Sequence, residues 1–204
     1  MTDNGQVFHI NTRGISPTKG PVALPEPAER RAGEIIRQYP QSRSAIMPLL
    51  YIAQEHFGLI TQAGIDWVAS RLSLPPIQVW EVATFYTMYY KKPVGRYHVQ
   101  VCRTLPCALR GAKKVSEFLH RRLGLKPGEV SKDGFWSFEE VECLGSCGTA
   151  PMCQINDVFF ENLTDEKLTQ ILARIEKEKP DLRFSTIRDE LGAGLAGSPK
   201  SEIV

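Results

Sequence analysis

Apolar residues recur at helical spacing once the chain passes Glu26. Ala28, Ala32, Ile35, Ile36 and Tyr39 share a face, and Pro40 closes the run. A second helix is predicted over Ser42 to Phe57, with Leu49, Leu50 and Ala53 facing inward and Gly58 as its stop. Pro48 within that run predicts a kink or a late start. Thr61 suits the N-cap of a third helix reaching Leu72, and Pro75-Pro76 opens a fourth running toward Tyr86. Four short helices on short links make a compact helical unit.

The period then changes. Tyr97, Val99 and Val101 alternate with His98 and Gln100, which predicts a strand ending at Cys102. Leu105 to Leu123 reads as one helix and Leu125 to Asp133 as a loop. Phe135 to Glu142 reads as a second strand running up to Cys143. Cys153 to Ile155 and Val158 to Glu161 flank Asn156-Asp157 as a tight hairpin. A last helix follows Asn162 to Thr164, with Leu168, Ile171, Leu172 and Ile175 inward, and stops before Pro180. Strand, helix, strand, hairpin and helix describe a small α/β sandwich with one crossover. The expected organisation is a flexible arm over 1–25, a helical docking unit over 26–92, an α/β domain over 93–180 and a mobile tail over 181–204.

Composition narrows the function classes. With 25 basic and 23 acidic side chains among 204 residues, the net charge is +2, which gives no basis for nucleic-acid binding. The N-terminus has no basic flank ahead of an apolar run. The most apolar stretches are interrupted by Pro48, Gln54, Glu55 and His56, and by Glu81. Neither a secretory signal nor a membrane-spanning helix is expected, and a reducing, cytoplasmic setting is. No G-x-G-x-x-G fingerprint or P-loop is present, so the chain is not expected to bind NAD or ATP by itself.

The cysteines change the picture most. All five lie between Cys102 and Cys153, an odd number in one quarter of the chain, which is unlike a disulfide framework. Cys102 and Cys107 form a C-x4-C pair, and Cys143 and Cys147 form a C-x3-C pair, each after a predicted strand. If those strands are parallel neighbours, four thiolates meet at one sheet edge. Spacing alone fits both a four-cysteine zinc site and a 2Fe–2S cluster with two cysteines per iron. Small residues surround Cys147, in Leu144-Gly145-Ser146 and Gly148-Thr149-Ala150, leaving room for an inorganic group. Arg103 and the start of the helix after Cys107 are expected to lend positive potential. His9, His56, His98 and His120 are isolated and read as structural; Phe85, Tyr86, Tyr89 and Tyr90 read as packing.

The segments Val101-Cys102-Arg103-Thr104-Leu105-Pro106-Cys107 and Val141-Glu142-Cys143-Leu144-Gly145-Ser146-Cys147-Gly148-Thr149-Ala150-Pro151 resemble the thioredoxin-like 2Fe–2S subunits of respiratory complex I, a family within NADH-quinone oxidoreductase. Val82 to Tyr89, Pro93 to Arg96 and Gln154 to Asp157 share the likeness, which runs over about three quarters of the chain. The resemblance implies an α+β chain in which an N-terminal helical bundle precedes a thioredoxin-like α/β domain. It implies that Cys102 and Cys107 ligate one iron of a 2Fe–2S cluster and Cys143 and Cys147 the other, with Cys153 outside the set. It further implies single-electron exchange with the FMN of an adjacent NADH-binding flavoprotein subunit, alongside other peripheral-arm subunits, on the cytoplasmic side of a membrane-bound complex (the mitochondrial matrix in a eukaryote). The equivalent subunit of an NAD-reducing hydrogenase or NAD-dependent formate dehydrogenase is the first alternative, and a zinc-stabilised binding module the second.

Overall fold

The computed structural model describes residues 23–188, which divide into two compact units between Pro93 and Val94. The first unit holds helices α1 (Glu26–Arg37), α2 (Ile46–Phe57), α3 (Gln62–Leu72) and α4 (Pro76–Phe85). Helix α2 packs against the other three and buries Leu49, Leu50, Ile52 and Ala53 completely. Removing each large side chain of this kind from water contributes about 1.5–3 kcal/mol. The helix expected from Ser42 begins late: Ser42–Ala45 is a 3-10 turn and α2 starts at Ile46. Pro48 thus falls in the first turn, where its missing N–H would have had no partner anyway. Thr61 caps α3 by accepting from the Gly64 N–H at 3.0 Å.

The aromatic residues at the end of this unit divide. Tyr89 is fully buried and its hydroxyl donates to the Met47 carbonyl at 2.9 Å, whereas Phe85, expected in the packing, is 78% exposed.

The second unit carries a five-stranded sheet in the order β2 (Glu129–Val130), β3 (Trp136–Val141), β1 (Tyr97–Cys102), β4 (Cys153–Ile155), β5 (Val158–Phe160). β1 and β3 are parallel, with Cys102 opposite Val141; every other pairing is antiparallel. Helices α5 (Leu105–Leu109) and α6 (Ala112–Leu123) cross between β1 and β3, and α7 (Asp165–Glu178) follows β5. Tyr97, Val99, Val101 and Phe138 form one core with Val115 and Leu119 of α6 and Leu168, Leu172 and Ile175 of α7.

Two elements depart from expectation. The single helix over 105–123 breaks at Gly111, whose φ of 102° lies where only glycine is unstrained. The loop over 125–133 contains β2, two exposed residues whose place in the sheet comes from pairing with β3 rather than from any apolar pattern.

β1 is buried along its whole length, including His98 and Gln100. Its polar positions are matched: His98 Nδ1 lies 2.7 Å from Ser137 Oγ, and His98 Nε2 and Gln100 Nε2 each lie 2.9 Å from Glu139 Oε1. Such pairing is what makes buried polar side chains tolerable. Asn156, read only as a turn residue, also acts as a strand surrogate. Its Oδ1 accepts from the His98 N–H at 2.9 Å and its Nδ2 donates to the Arg96 carbonyl at 3.0 Å. Gly95 approaches β3 so closely that a Cβ there would sit 2.5 Å from the Trp136 carbonyl carbon.

Of the expected N-terminal arm, residues 1–22 lie outside the described residues, as do 189–204 of the expected tail. The described start of that tail is packed rather than mobile. Leu182 is buried in the second core, the Phe184 N–H donates to Asp157 Oδ2 at 2.8 Å, and Asp157 N–H donates to the Leu182 carbonyl at 2.9 Å.

Candidate metal centre

Because β1 and β3 run parallel, the loops that leave their C-terminal ends open at the same sheet edge. β1 delivers Cys102 directly, and α5, begun by Thr104 and Leu105, turns back to bring Cys107 beside it. β3 ends at Val141, and the following loop carries Cys143 and, in a short 3-10 turn, Cys147. The edges are sewn together by main-chain bonds: Arg103 N–H to the Val141 carbonyl at 3.0 Å and Cys102 N–H to the Met152 carbonyl at 3.3 Å.

The four sulfurs group as two pairs. Cys143 Sγ and Cys147 Sγ stand 3.7 Å apart. Two vertices of a tetrahedron around a metal with bonds of about 2.3 Å would be separated by about 3.8 Å, so this spacing fits two ligands of one ion. Cys102 and Cys107 share a hydrogen bond of their own. Among the described residues no three His, Cys, Asp or Glu side chains gather around a single ion position.

The pairs differ in setting. Cys102 and Cys107 are buried with Ala112, Ala150 and Met152 in a small apolar cluster, while Cys143 and Cys147 are exposed.

Within each pair one thiol is acidified and the other is not. Burial opposes ionisation of Cys102, but the Thr104 hydroxyl, the Leu144 and Thr104 N–H groups and the Cys107 thiol outweigh it and lower the pKa. Burial, and the hydrogen bond to Cys102, push Cys107 up to about 11. The Gly145 N–H, then the Thr104 hydroxyl and the Cys147 thiol, lower Cys143. Its bond to Cys143, and then burial, raise Cys147. Within each pair the two thiols are thus pushed in opposite directions, and binding a metal would take the proton from both. Gly145 reaches its N–H to Cys143 Sγ at 3.4 Å with a φ of 86°.

Arg103, expected to lend positive potential, is paired with Glu142 at 2.8 Å; Cys107 itself lies inside α5, and the helix that follows it, α6, starts at Ala112 in the same apolar cluster. Cys153 is remote from this chemistry. It is fully buried on β4, opposite Val101 on the core face of the sheet, and burial pushes its thiol up to about 12.

Two contributors escaped the sequence. Thr104 hangs its hydroxyl 3.4 Å from Cys102 Sγ and also acts on Cys143, bridging the pairs; its place inside the C-x4-C loop was the available signal. Glu161, at the end of β5, takes hydrogen bonds from Ser146 and Thr149 on either side of Cys147, and nothing in the local pattern marks it.

The chain is similar to known proteins over most of its described length. A family model described as thioredoxin-like [2Fe-2S] ferredoxin matches residues 32–176. A protein of Rickettsia conorii, named as the E subunit of NADH-quinone oxidoreductase, is 44% identical over 150 residues, covering 72% of this chain and 90% of that protein. Its namesake in Rickettsia bellii is 45% identical over the same length and coverage. Among solved structures, an NAD+-reducing [NiFe]-hydrogenase in the H2-reduced state superposes with a TM-score of 0.57 at 17% identity over 76% of this chain. The chain spans only 24% of that hydrogenase chain, and the likeness is one of fold.

Proposed function

The chain belongs to the thioredoxin-like [2Fe-2S] ferredoxin family, and on that premise we propose that it is an electron-transfer component of NADH-quinone oxidoreductase carrying one 2Fe–2S cluster. The observation that carries the reading is the convergence of two cysteine pairs at the ends of neighbouring parallel strands. Cys102 and Cys107 would hold one iron, and Cys143 and Cys147 the other. When bound, a 2Fe–2S cluster supplies reversible storage of a single electron. The protein's own part is position and electrostatics. Ala112, Ala150 and Met152 keep water from the inner pair, and the Thr104 hydroxyl and Gly145 N–H donate toward ligand sulfurs, favouring added negative charge.

The electron partner on this reading is an FMN-containing, NADH-binding flavoprotein subunit, with other peripheral subunits around it. Leu105 and Leu109, 70% and 78% exposed on the helix that carries Cys107, offer apolar docking area beside the inner pair. No helix among the described residues is long and apolar enough to cross a membrane. The reading places the chain peripherally, on the cytoplasmic side of the complex. The fold likeness to an NAD+-reducing hydrogenase favours, as a second reading, the equivalent subunit of such an enzyme or of an NAD-dependent formate dehydrogenase. Co-purifying partners separate the two.

The chemical test is the visible and EPR spectrum of the reduced full chain with its iron, sulfide and zinc content. Iron and sulfide in equal amounts with a reducible signal are expected, and Ser at Cys102, Cys107, Cys143 or Cys147 should degrade it. A colourless, zinc-loaded, EPR-silent protein would sink the proposal.

A further inference from the structure

We infer that Glu161 is the positioning residue of the exposed cysteine pair, clamping the loop that presents Cys147. The inference rests on the ligand assignment proposed above. The inner pair needs no such device, since Cys102 ends a buried strand and Cys107 is buried within α5. The outer loop leans on the inner cluster through Leu144 and Ala150, but its ligand positions are not packed: Cys143, Cys147 and Gly148 are exposed. The side chains that flank Cys147 are gathered by one carboxylate oxygen. Ser146 Oγ, immediately before Cys147, donates to Glu161 Oε1, and Thr149 Oγ1, two residues after it, donates to the same atom at 2.8 Å. The two hydroxyl oxygens lie 2.8 Å from each other, so the three groups form a closed triangle around the base of the turn.

Glu161 can serve as an anchor because its own backbone is held. Lys167 Nζ donates to its carbonyl at 2.8 Å, the next residue's N–H donates to the Thr149 carbonyl at 2.7 Å, and Leu163 N–H donates to the Pro151 carbonyl at 3.0 Å. The carboxylate thus ties the ligand turn to the end of β5 and the start of α7. Hydrogen bonds to charged acceptors are stronger than neutral ones, which suits a single group asked to hold two hydroxyls.

The experiment uses the full chain loaded with its cluster. Glu161→Ala should release iron to a chelator about 10–100-fold faster than wild type, the usual cost of losing an outer-shell partner. Glu161→Gln keeps an oxygen acceptor but loses the charge. It should bring iron release most of the way back to the wild-type rate while raising the reduction potential, a split that a purely structural role would not produce. Ser146→Ala with Thr149→Val leaves the carboxylate in place and should release iron as fast as Glu161→Ala. In the metal-free chain the amide order parameters of Gly145 and Gly148 should fall in Glu161→Ala with the melting temperature unchanged. Wild-type release rates and EPR spectra in both Glu161→Ala and the double variant would overturn the clamp. A wild-type chain with no cluster, or one indifferent to its four cysteines, would instead overturn the ligand assignment.

Discussion

Replacing Cys153 by Ser separates a ligand from a core thiol. The side chain is fully buried, with Val101 opposite it on β1 and Phe160 opposite it on β5. Residues opposite one another in a sheet share a face, so Cys153 lies with the core and away from the face that carries Cys102. Exchanging sulfur for oxygen leaves a hydroxyl in that apolar setting without a partner, at a cost of about 1–3 kcal/mol. Cys153→Ala removes a single heavy atom, and a void of that size costs about 1 kcal/mol. The order is therefore diagnostic: wild type, then Ala, then Ser. Each kcal/mol moves the midpoint of a domain of this size by about 4–8 °C. Urea or thermal unfolding of the metal-free chain, followed by circular dichroism, gives the stabilities; the absorbance of the loaded chain gives the cluster. Both variants should keep the full spectrum. Loss of the cluster from a folded Cys153 variant, or an Ala variant less stable than the Ser variant, would refute the placement of this thiol in the core.

Other outcomes follow from the same geometry. The Cys153 thiol ionises near 9 when unfolded but only near 12 when folded. Above pH 9 the unfolded chain sheds a proton that the folded chain keeps, so stability should fall as pH rises from about 9 toward about 12. Cys153→Ala should flatten that decline in urea titrations, and an unchanged slope would count against the thiol as its source. Gly95→Ala drives a Cβ to 2.5 Å from the Trp136 carbonyl carbon and 2.7 Å from the Ser137 nitrogen, backbone atoms that cannot swing aside. A loss of about 1–3 kcal/mol is expected on melting, and a neutral variant would show that the β1 entry is looser than described. Leu109→Asp, alone or with Leu105→Asp, should leave the cluster spectrum intact but weaken capture of the flavoprotein subunit by about tenfold or more, since burying each leucine contributes about 1.5–3 kcal/mol. Undiminished capture would move the docking surface elsewhere.

What the sequence made legible depended on local signals. Thr61 and Thr164 each announce a helix because their hydroxyls satisfy an N–H of the first turn, a contact within three residues. The alternation in Tyr97 to Val101 located β1, and the two cysteine spacings marked the pairs that the parallel strands bring to one sheet edge. The break at Gly111 was hidden because Leu105, Leu109, Ala112, Val115 and Leu119 keep a helical period straight across it. β2 was hidden because two exposed residues have no period at all. His98 and Gln100 alternate with the apolar positions of β1, and their burial is explained by Ser137 and Glu139 on the neighbouring strand, which the local pattern does not show. Glu161 was beyond reach for the same reason: its partners lie 12 and 15 residues away and meet it only across the folded turn.

The parallel pairing of β1 and β3 also governs the order in which the domain can be assembled. Each cysteine pair is local and could be presented by an unfolded chain, but 35 residues separate Cys107 from Cys143. Bringing the pairs together requires the crossover through α5 and α6 to close first, a slow, non-local step in folding. A group held by all four sulfurs would then act as a staple across that crossover. On the proposed ligand assignment, a slip of the β1–β3 register would cost two of the ligands, and unfolding and cluster release would become one event.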